Sequence, residues 1–377
     1  MKKLIVVLFL FALTWLGGCG IWPHQTNVSE AEVIKLGFIG PLSGEGAVWG
    51  NDEKNATLMA VEEINNSNYI PGRKLEVIFE DGQCSGIGAA TAAQKLVNID
   101  RVKIVLGGTC SDETLAAAPI TEQARVILFS SFSSNPALTD AGDYVFRNSP
   151  SDDTLSNFTA DLINKKHSKI AIISGNSSYT VGVRDVFVKR VLENGAEIVS
   201  DQLYNIEEKD FSTYILKIKQ SEPDAIFINP YAGLSGGLIV KKIKELGVDV
   251  PLYGTFIFGG SDVKEIAGPA LNNLIFTDAP SAMGSKGDYV VNKFKEKFGE
   301  FQNSYQIGAK YDAVYIIADA IRSVGLDTAR IRDYLYGLEN YDGAIGNYRF
   351  DQNGDTASLE WAAKIIKDGE AVPYEEL

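Results

Sequence analysis

The sequence predicts an α/β fold with two doubly wound parallel-sheet lobes. From Val33 onward, short β-branched runs alternate with segments of helical apolar spacing, which is the pattern of βαβ units. The runs are nearly continuously apolar, as expected for strands that helices cover on both faces. About ten such strands exceed an ordinary single sheet, so we expect two sheets.

The first half of the chain alternates regularly. Aliphatic and β-branched runs predict strands at Val33–Ile39, Leu75–Phe79, Ile104–Leu106 and Val126–Ser130. Apolar residues at helical spacing predict helices at Asn51–Asn65, Ala89–Ile99 and Thr114–Gln123.

The second half repeats the unit and then becomes helical. Strands are predicted at Ile170–Ser174, Glu197–Leu203, Ala225–Asn229, Leu252–Tyr253 and Leu274–Phe276. Helices are predicted at Gly182–Glu193, Phe211–Gln220, Leu238–Leu246, Tyr289–Phe298, Ser304–Val324 and Thr328–Leu338. A hairpin-like end follows, from Tyr348–Phe350 to Leu359–Ile366, with Asn353-Gly354 as its turn.

Residues 1–18 resemble a bacterial lipoprotein signal peptide. Two lysines precede an apolar run from Leu4 to Leu13, and residues 16–19 (Leu-Gly-Gly-Cys) resemble the lipobox. In such signals the chain is cut before the cysteine, which carries a lipid, so we expect lipidation of Cys19 and a linker over residues 19–33. An uncleaved anchor is the alternative, but Leu4–Trp15 has only 12 residues, fewer than the roughly 20 that span a bilayer. The mature protein is therefore expected to be extracytoplasmic and lipid-anchored to a bacterial membrane.

The chain is acidic, with ordinary apolar content. Its net charge is −14 over 377 residues, and 45% of the residues are hydrophobic. Without residues 1–18, 359 residues remain and the charge becomes −16, since two lysines are removed. At roughly 100–200 residues per domain this length predicts two domains. The acidic balance argues against nucleic acid as a partner, because a basic patch is expected there.

One of the three cysteines is expected to carry lipid, and the other two are available to pair. With Cys19 taken by lipid, Cys84 and Cys110 remain as an even pair in a compartment where disulfides persist. We therefore expect a bridge between them. Two buried free thiols acting as small apolar side chains are the alternative.

Signals for an enzyme or a cofactor are weak. Residues 233–237 fit the G-x-S-x-G spacing, but both histidines, His24 and His167, precede Ser235, whereas a hydrolase of that fold needs one after it. We interpret this stretch as a glycine-rich turn. Residues 44–49 have Trp49 where a dinucleotide fingerprint needs glycine, and residues 351–355 place glycine two positions too early for a calcium loop. We expect no catalytic residues, cofactor or metal.

Polar residues follow two neighbouring predicted strands. Residues 107–112 (Gly-Gly-Thr-Cys-Ser-Asp) open a helix after one strand, and residues 130–134 (Ser-Ser-Phe-Ser-Ser) follow the next. Ser111 is a candidate helix N-cap, and the helix start behind it could hold a carboxylate. Ser111 could equally serve only as a cap. Ligands of doubly wound sheets bind at these strand ends.

At these residues the chain resembles the type I periplasmic substrate-binding proteins of ABC transporters, in the Leu/Ile/Val-binding branch. The resemblance runs from about Ile34 to the C-terminus. It rests on residues 34–44 with Trp49-Gly50, on residues 80–84 with 107–111, on residues 134–139 and on residues 311–314. The second of these segments carries the family's disulfide, which supports pairing of Cys84 with Cys110.

The resemblance implies a ligand held between two lobes. Ser111 and Ser134 would hold its carboxylate, and the Phe132 carbonyl would face an amino group. The remaining implied lining residues are aromatic: Trp49, Tyr179, Tyr231, Phe256 and Tyr311. Relatives that bind α-amino acids place an acidic residue where this chain has Phe256, and a buried ammonium without a counter-charge is costly. Either Asp112 or Asp312 replaces that residue, or the ligand lacks an ammonium.

We therefore expect a solute-binding protein, not an enzyme. It would capture a small carboxylate or amino acid and deliver it to the permease of an ABC importer, as a monomer held to the membrane through Cys19. A ligand sensor that signals to a membrane receptor is the alternative. The N-terminal lobe is predicted to comprise residues 34–149 and 282–344, and the C-terminal lobe residues 150–281 and 345–377. Hinge crossings are expected near Asn148–Ser151, Thr277–Ala282 and Ala344–Tyr348.

Overall fold

The computed structural model describes residues 31–374, except residues 45, 279–283 and 357–360. The predicted signal peptide, the lipidation site Cys19 and most of the predicted linker lie outside the described residues. Strand β1 begins at Glu32, inside the predicted linker, because Glu32 pairs with Arg73 of the neighbouring strand.

The first sheet is wholly parallel. Its strands are β1 (Glu32–Gly40), β2 (Arg73–Asp81), β3 (Ile104–Gly107), β4 (Ile127–Ser130) and β5 (Val145–Arg147), in the order β2-β1-β3-β4-β5. Helices connect them: α1 (Ala47–Asn66), α2 (Gly86–Gln94) and α3 (Ser111–Gln123). The short strand β5 was not predicted.

The second sheet is mixed. Its parallel strands are β6 (Lys169–Gly175), β7 (Glu197–Tyr204), β8 (Ala225–Asn229), β9 (Leu252–Gly254) and β10 (Ile275–Asp278). The helices associated with it are α4 (Asp152–Asn164), α5 (Ser178–Glu193), α6 (Ser212–Gln220), α7 (Gly233–Glu245) and α8 (Ser261–Ala267).

The C-terminal part serves both sheets. Helices α9 (Gly284–Phe298) and α10 (Ser304–Val324) pack on α1, and α11 (Thr328–Tyr336) packs on α10. A small hairpin, β11 (Tyr341–Asp342) with β12 (Asn347–Tyr348), follows. The chain then adds β13 (Ala362–Lys367) and β14 (Glu370–Pro373) to the second sheet, which has the order β14-β13-β10-β9-β8-β6-β7.

The second sheet departs from parallel pairing at this edge. Both β13 and β14 run antiparallel to their neighbours. The tight turn at Asp368-Gly369, where both residues have positive φ, returns the chain directly. Such a turn suffices for antiparallel strands, whereas a parallel pair needs a long crossover. The α/β fold class itself is confirmed.

The third hinge crossing lies later than predicted. Residues 345–356 were assigned to the C-terminal lobe, but Phe350 packs against Phe129 and Phe146 of the first sheet, each with ring centroids 5.7 Å apart. The side chain of Arg147 also forms a bidentate pair with Asp355. The chain therefore passes to the second sheet only after Thr356. The division of the rest of the chain between lobes stays a prediction.

Helix α4 was not predicted from the sequence. Its N-cap is Ser151, whose hydroxyl accepts a hydrogen bond from the Asp153 N–H. It packs against α5 and carries the chain from β5 to the second sheet. Among the described residues, no helix is both long and apolar enough to cross a membrane.

Candidate ligand-binding site

A cavity lies where the carboxyl ends of the two sheets meet. The space between its lining atoms is about 560 Å³, and this figure includes space that is open to solvent. Seven of the eight residues predicted to bind ligand line it: Trp49, Ser111, Phe132, Ser134, Tyr179, Tyr231 and Phe256. This is the position expected for a ligand site in doubly wound sheets.

Ser111 faces the cavity at the start of α3, but it is not the N-cap that the sequence predicts. Cys110 takes that position, and the Glu113 carboxylate accepts hydrogen bonds from the N–H groups of Thr109 and Cys110 at 3.0 and 3.1 Å. The Ser111 hydroxyl accepts a long bond of 3.3 Å from the Asn135 N–H. Its own proton is not used by any hydrogen bond among the described residues, so it can be donated to a ligand.

The wall beside Ser111 is braced covalently. Cys84 and Cys110 are joined by a disulfide with their Cα atoms 5.3 Å apart, and both line the cavity. The Glu113 carboxylate, itself buried, also accepts a bond from the Cys84 N–H at 3.0 Å. The loop after β2 and the start of α3 are thereby held together on one side of the cavity.

Ser134 is linked to a buried carboxylate. Its hydroxyl donates to Oδ2 of Asp152 at 3.0 Å, and the Asp152 N–H donates to the Ser134 carbonyl at 2.8 Å. Asp152 is completely buried at the start of α4. Burial raises the pKa of Asp152 to about 7, against the opposing effects of the Ser134 hydrogen bond and the positive charge of Arg147.

Aromatic rings form much of the remaining wall. Trp49 stacks on Phe132 with ring centroids 5.3 Å apart, and the edge of Phe132 meets Phe256 at 5.7 Å. Phe256 lies in the 3₁₀ turn after β9 and also contacts Tyr179 at 6.0 Å and Trp361 at 6.1 Å. These rings suit the apolar body of a small ligand.

The two carboxylates proposed to replace an acidic residue at Phe256 are both engaged. Asp112 lines the cavity, but its carboxylate accepts hydrogen bonds from the N–H and hydroxyl of Ser178 across the cleft. Asp312 lies outside the cavity, where it accepts from the Ala344 N–H and the Tyr348 hydroxyl. Asp312 is therefore not a candidate for contact with a ligand here.

The prediction that Tyr311 lines the pocket is wrong in this structure. Its hydroxyl donates to the Glu63 carboxylate at 2.6 Å, and it lines a separate groove on the first-sheet side. Tyr305, six residues earlier on another face of α10, packs on Phe132 instead, with ring centroids 6.2 Å apart. Sequence spacing alone did not indicate which face of α10 points to the cavity.

Several other residues near the cavity were also missed. Thr109, Ala232 and Ile257 line it, and Trp361 borders a small adjoining space together with Tyr305. Trp361 follows the last hinge crossing and has no periodic pattern around it. No signal in the sequence places it here.

The candidate enzyme and metal motifs have structural roles. Ser235 is buried in the first turn of α7, where its hydroxyl bonds to the Tyr204 hydroxyl at 3.0 Å. Asp351 closes its own turn by accepting from the N–H groups of Asn353 and Asp355. In the described ranges, no three His, Cys, Asp or Glu side chains group as metal ligands would.

The chain is similar to periplasmic binding proteins. The family model for periplasmic binding proteins matches residues 33–370. A leucine-, isoleucine-, valine-, threonine- and alanine-binding protein of Pseudomonas aeruginosa is 28% identical over 337 residues, which are 88% of this chain and 89% of that protein.

Two solved structures show the same similarity. One is a leucine-binding protein of Thermotoga maritima, with a TM-score of 0.81 and 25% identity over 91% of this chain and 98% of that one. The other is a branched-chain amino acid transporter substrate-binding protein of Streptococcus pneumoniae in complex with isoleucine, with a TM-score of 0.81 and 25% identity over 90% and 98%. This chain therefore belongs to the periplasmic binding protein family, as a substrate-binding protein rather than an enzyme.

Proposed function

We propose that this protein captures an apolar amino acid or a related small carboxylate outside the cytoplasm and delivers it to an ABC importer. The observation that carries the proposal is the cavity itself. A free hydroxyl donor and a helix start at Ser111 lie opposite an aromatic wall centred on Phe256. This combination suits a ligand with a carboxylate at one end and an apolar body at the other.

Closure of the two lobes would be the working motion. Asp112 on α3 and Ser178 at the start of α5 are bonded across the cleft, with the two side chains 2.6 Å apart. A contact of this kind between the two sides of the cleft would favour the closed state, as in hinge closure around a ligand. The description of the similar Streptococcus pneumoniae protein as a transporter substrate-binding protein supports delivery to a transporter as the purpose of that closure.

A paired ligand screen tests the binding proposal. Each amino acid is compared with its deaminated analogue by thermal shift. A true ligand at 100 times its dissociation constant should stabilise the protein by about 2.7 kcal/mol. We expect shifts only from compounds that combine a carboxylate with an apolar body. If none of these compounds shifts the melting temperature, the proposal fails.

We propose that lipid on Cys19 holds the protein at the membrane. The basic start, the short apolar run and the lipobox-like residues 16–19 support this. Mass spectrometry of the protein from a bacterial host should find a diacylglyceryl-modified Cys19 at the N-terminus. A Cys19→Ser variant should leave the membrane fraction, and retention of that variant on the membrane would contradict the anchor.

A further inference from the structure

We propose that Asn135 is a positioning residue that couples the ligand-facing hydroxyl of Ser111 to closure of the cleft, and that residue 182 is a glycine because this coupling requires it. The inference rests on the proposed function and names a contact through which capture takes place. Asn135 is buried directly after Ser134, but it is not among the residues that line the described cavity. It therefore acts on a ligand only through its neighbours.

Asn135 uses its backbone toward the site and its side chain toward the opposite side of the cleft. Its N–H donates to the hydroxyl oxygen of Ser111 at 3.3 Å, which leaves the Ser111 proton for a ligand. Its Nδ2 donates to the carbonyl oxygen of Ser178, in the first turn of α5. Helix α5 packs on β6 and β7 of the second sheet, whereas Asn135 follows β4 of the first. One residue thus joins a ligand-facing group to the element across the cleft.

The Asn135 amide is held in one orientation by the first-sheet side alone. Its Oδ1 caps the 3₁₀ turn Pro136–Asp140 by accepting from the Ala137 N–H at 2.8 Å. Turning the amide over would set donor against donor at Ala137 and acceptor against acceptor at Ser178. The Asn135 carbonyl is also fixed, because it accepts from the Arg147 guanidinium at 2.8 Å. The donor that meets α5 is therefore in place before the cleft closes.

Gly182 lies one turn further along α5, where the helix meets Asn135 a second time. A methyl group on residue 182 would lie 2.7 Å from Asn135 Nδ2 and 3.2 Å from Pro136 Cδ, and both distances are shorter than ordinary contacts. Glycine inside a helix is less favourable than alanine, so α5 by itself would be more stable with alanine here. The close approach gives the reason for the glycine, because α5 reaches Asn135 in this way only when residue 182 has no side chain.

Gly182→Ala tests the inference through two effects of opposite sign. Without ligand the melting temperature should not fall, because alanine favours the helix and an open cleft has room for the methyl group. Ligand affinity should fall between about fivefold and a hundredfold, as for an overpacked contact, since only the closed state is obstructed. L-Leucine and L-isoleucine are the probes, and titration calorimetry measures their binding. A purely structural role for Gly182 would lower both quantities together.

Asn135→Ser separates the side-chain contact from the backbone contact. Serine can still cap the turn at Ala137 and still donates its N–H to Ser111, but its side chain is too short for Ser178. Probe affinity should fall about two- to tenfold, as for one lost hydrogen bond. The shorter side chain also makes room for a methyl group on residue 182. The double variant Asn135→Ser/Gly182→Ala should therefore bind the probes more tightly than Gly182→Ala does.

Gly86→Ala is the matched control. Gly86 is also helical, in the first turn of α2, and a methyl group there would meet Ala116 and the Asp112 carbonyl at ordinary distances of 3.6 and 3.9 Å. The melting temperature should again not fall, and probe affinity should change by less than about twofold. Small-angle scattering without ligand adds a measurement that needs no probe. Gly182→Ala should have a larger mean radius than the unaltered protein, whereas Gly86→Ala should not.

The outcomes separate the inference from the proposed function. Unchanged affinity in Gly182→Ala, or a loss of affinity together with a lower melting temperature, overturns the inference and leaves the proposed function intact. A double variant that binds no better than Gly182→Ala does the same. If neither probe binds the unaltered protein, the proposed function fails for these two ligands. The scattering radii then decide the inference, and equal radii for Gly182→Ala and the unaltered protein overturn it.

Discussion

The two sides of the cavity differ in chemistry. The first-sheet side provides the serine and threonine hydroxyls, those of Thr109, Ser111 and Ser134, beside the stacked rings of Trp49 and Phe132. It is braced by the Cys84–Cys110 disulfide. The second-sheet side provides Tyr179, Tyr231, Phe256 and Ile257. The difference indicates that the first-sheet side orients the polar end of a ligand, while rings from both sides surround its apolar part.

The largest expected effect comes from the apolar wall. Phe256→Ala should lower the free energy of unfolding by about 3–5 kcal/mol, because a buried ring that contacts three other rings is replaced by a cavity. Urea unfolding measures this, and Phe256→Leu should lose clearly less. A decrease in the free energy of unfolding of less than about 1 kcal/mol would mean that Phe256 does not contribute to the hydrophobic core.

The next largest effect concerns the Cys84–Cys110 disulfide on the first-sheet side of the cavity. Replacing Cys84 and Cys110 together by alanine should lower the free energy of unfolding by about 3 kcal/mol, because the unfolded chain is no longer constrained. Reductant should lower the stability of the unaltered protein by a similar amount and should not affect the double variant. Thiol titration provides the independent check: two reactive thiols in the oxidised native protein would show that the bridge does not form.

Ser111→Ala tests the polar wall itself. Loss of a hydrogen bond to a ligand carboxylate costs about 1.5–3 kcal/mol, so ligand affinity should fall between about tenfold and a hundredfold. Stability should hardly change, since the Ser111 hydroxyl has only one long bond within the protein. Calorimetry with the best amino acid of the screen measures the affinity. Ser133→Ala, whose hydroxyl bonds to the Gly108 and Thr109 carbonyls, should show the reverse pattern.

The smallest effect concerns the contact that ties the two walls together. Asp112→Asn keeps one acceptor for Ser178 but removes the charge, which should cost about 1 kcal/mol of closure and weaken the affinity severalfold. Small-angle scattering without ligand should show a larger mean radius than in the unaltered protein. Unchanged affinity and radius would show that the contact does not contribute to closure.

Sequence reasoning predicted the fold class and most of the lining of the candidate cavity, because both depend on local pattern. Continuous apolar runs identify buried parallel strands, and the serine clusters follow those strands directly. Prediction from sequence failed where the position of a side chain depends on contacts between residues distant in sequence. One example is the face of α10 that points toward the cavity. That face carries Tyr305, which packs against Phe132, and not Tyr311.

Two further residues illustrate the same limit. Asp152 is 18 residues from Ser134 and directly follows the predicted hinge crossing at Asn148–Ser151, and no motif links the two. The antiparallel edge formed by β13 and β14 depends on which strand Ile365 meets, which is Ile275 of β10. Neither partner could be inferred from spacing along the chain.

The tryptophans of the cleft give this protein an optical property. Of the four in the sequence, Trp49 stacks on Phe132 on one side, and Trp361 stacks on Phe256 after the last crossing. The indole N–H of Trp361 also donates to Thr154 on α4 at 2.7 Å. Their emission should therefore change whenever the cleft fills or opens, so that cargo arrival and release can be followed in real time without an attached dye.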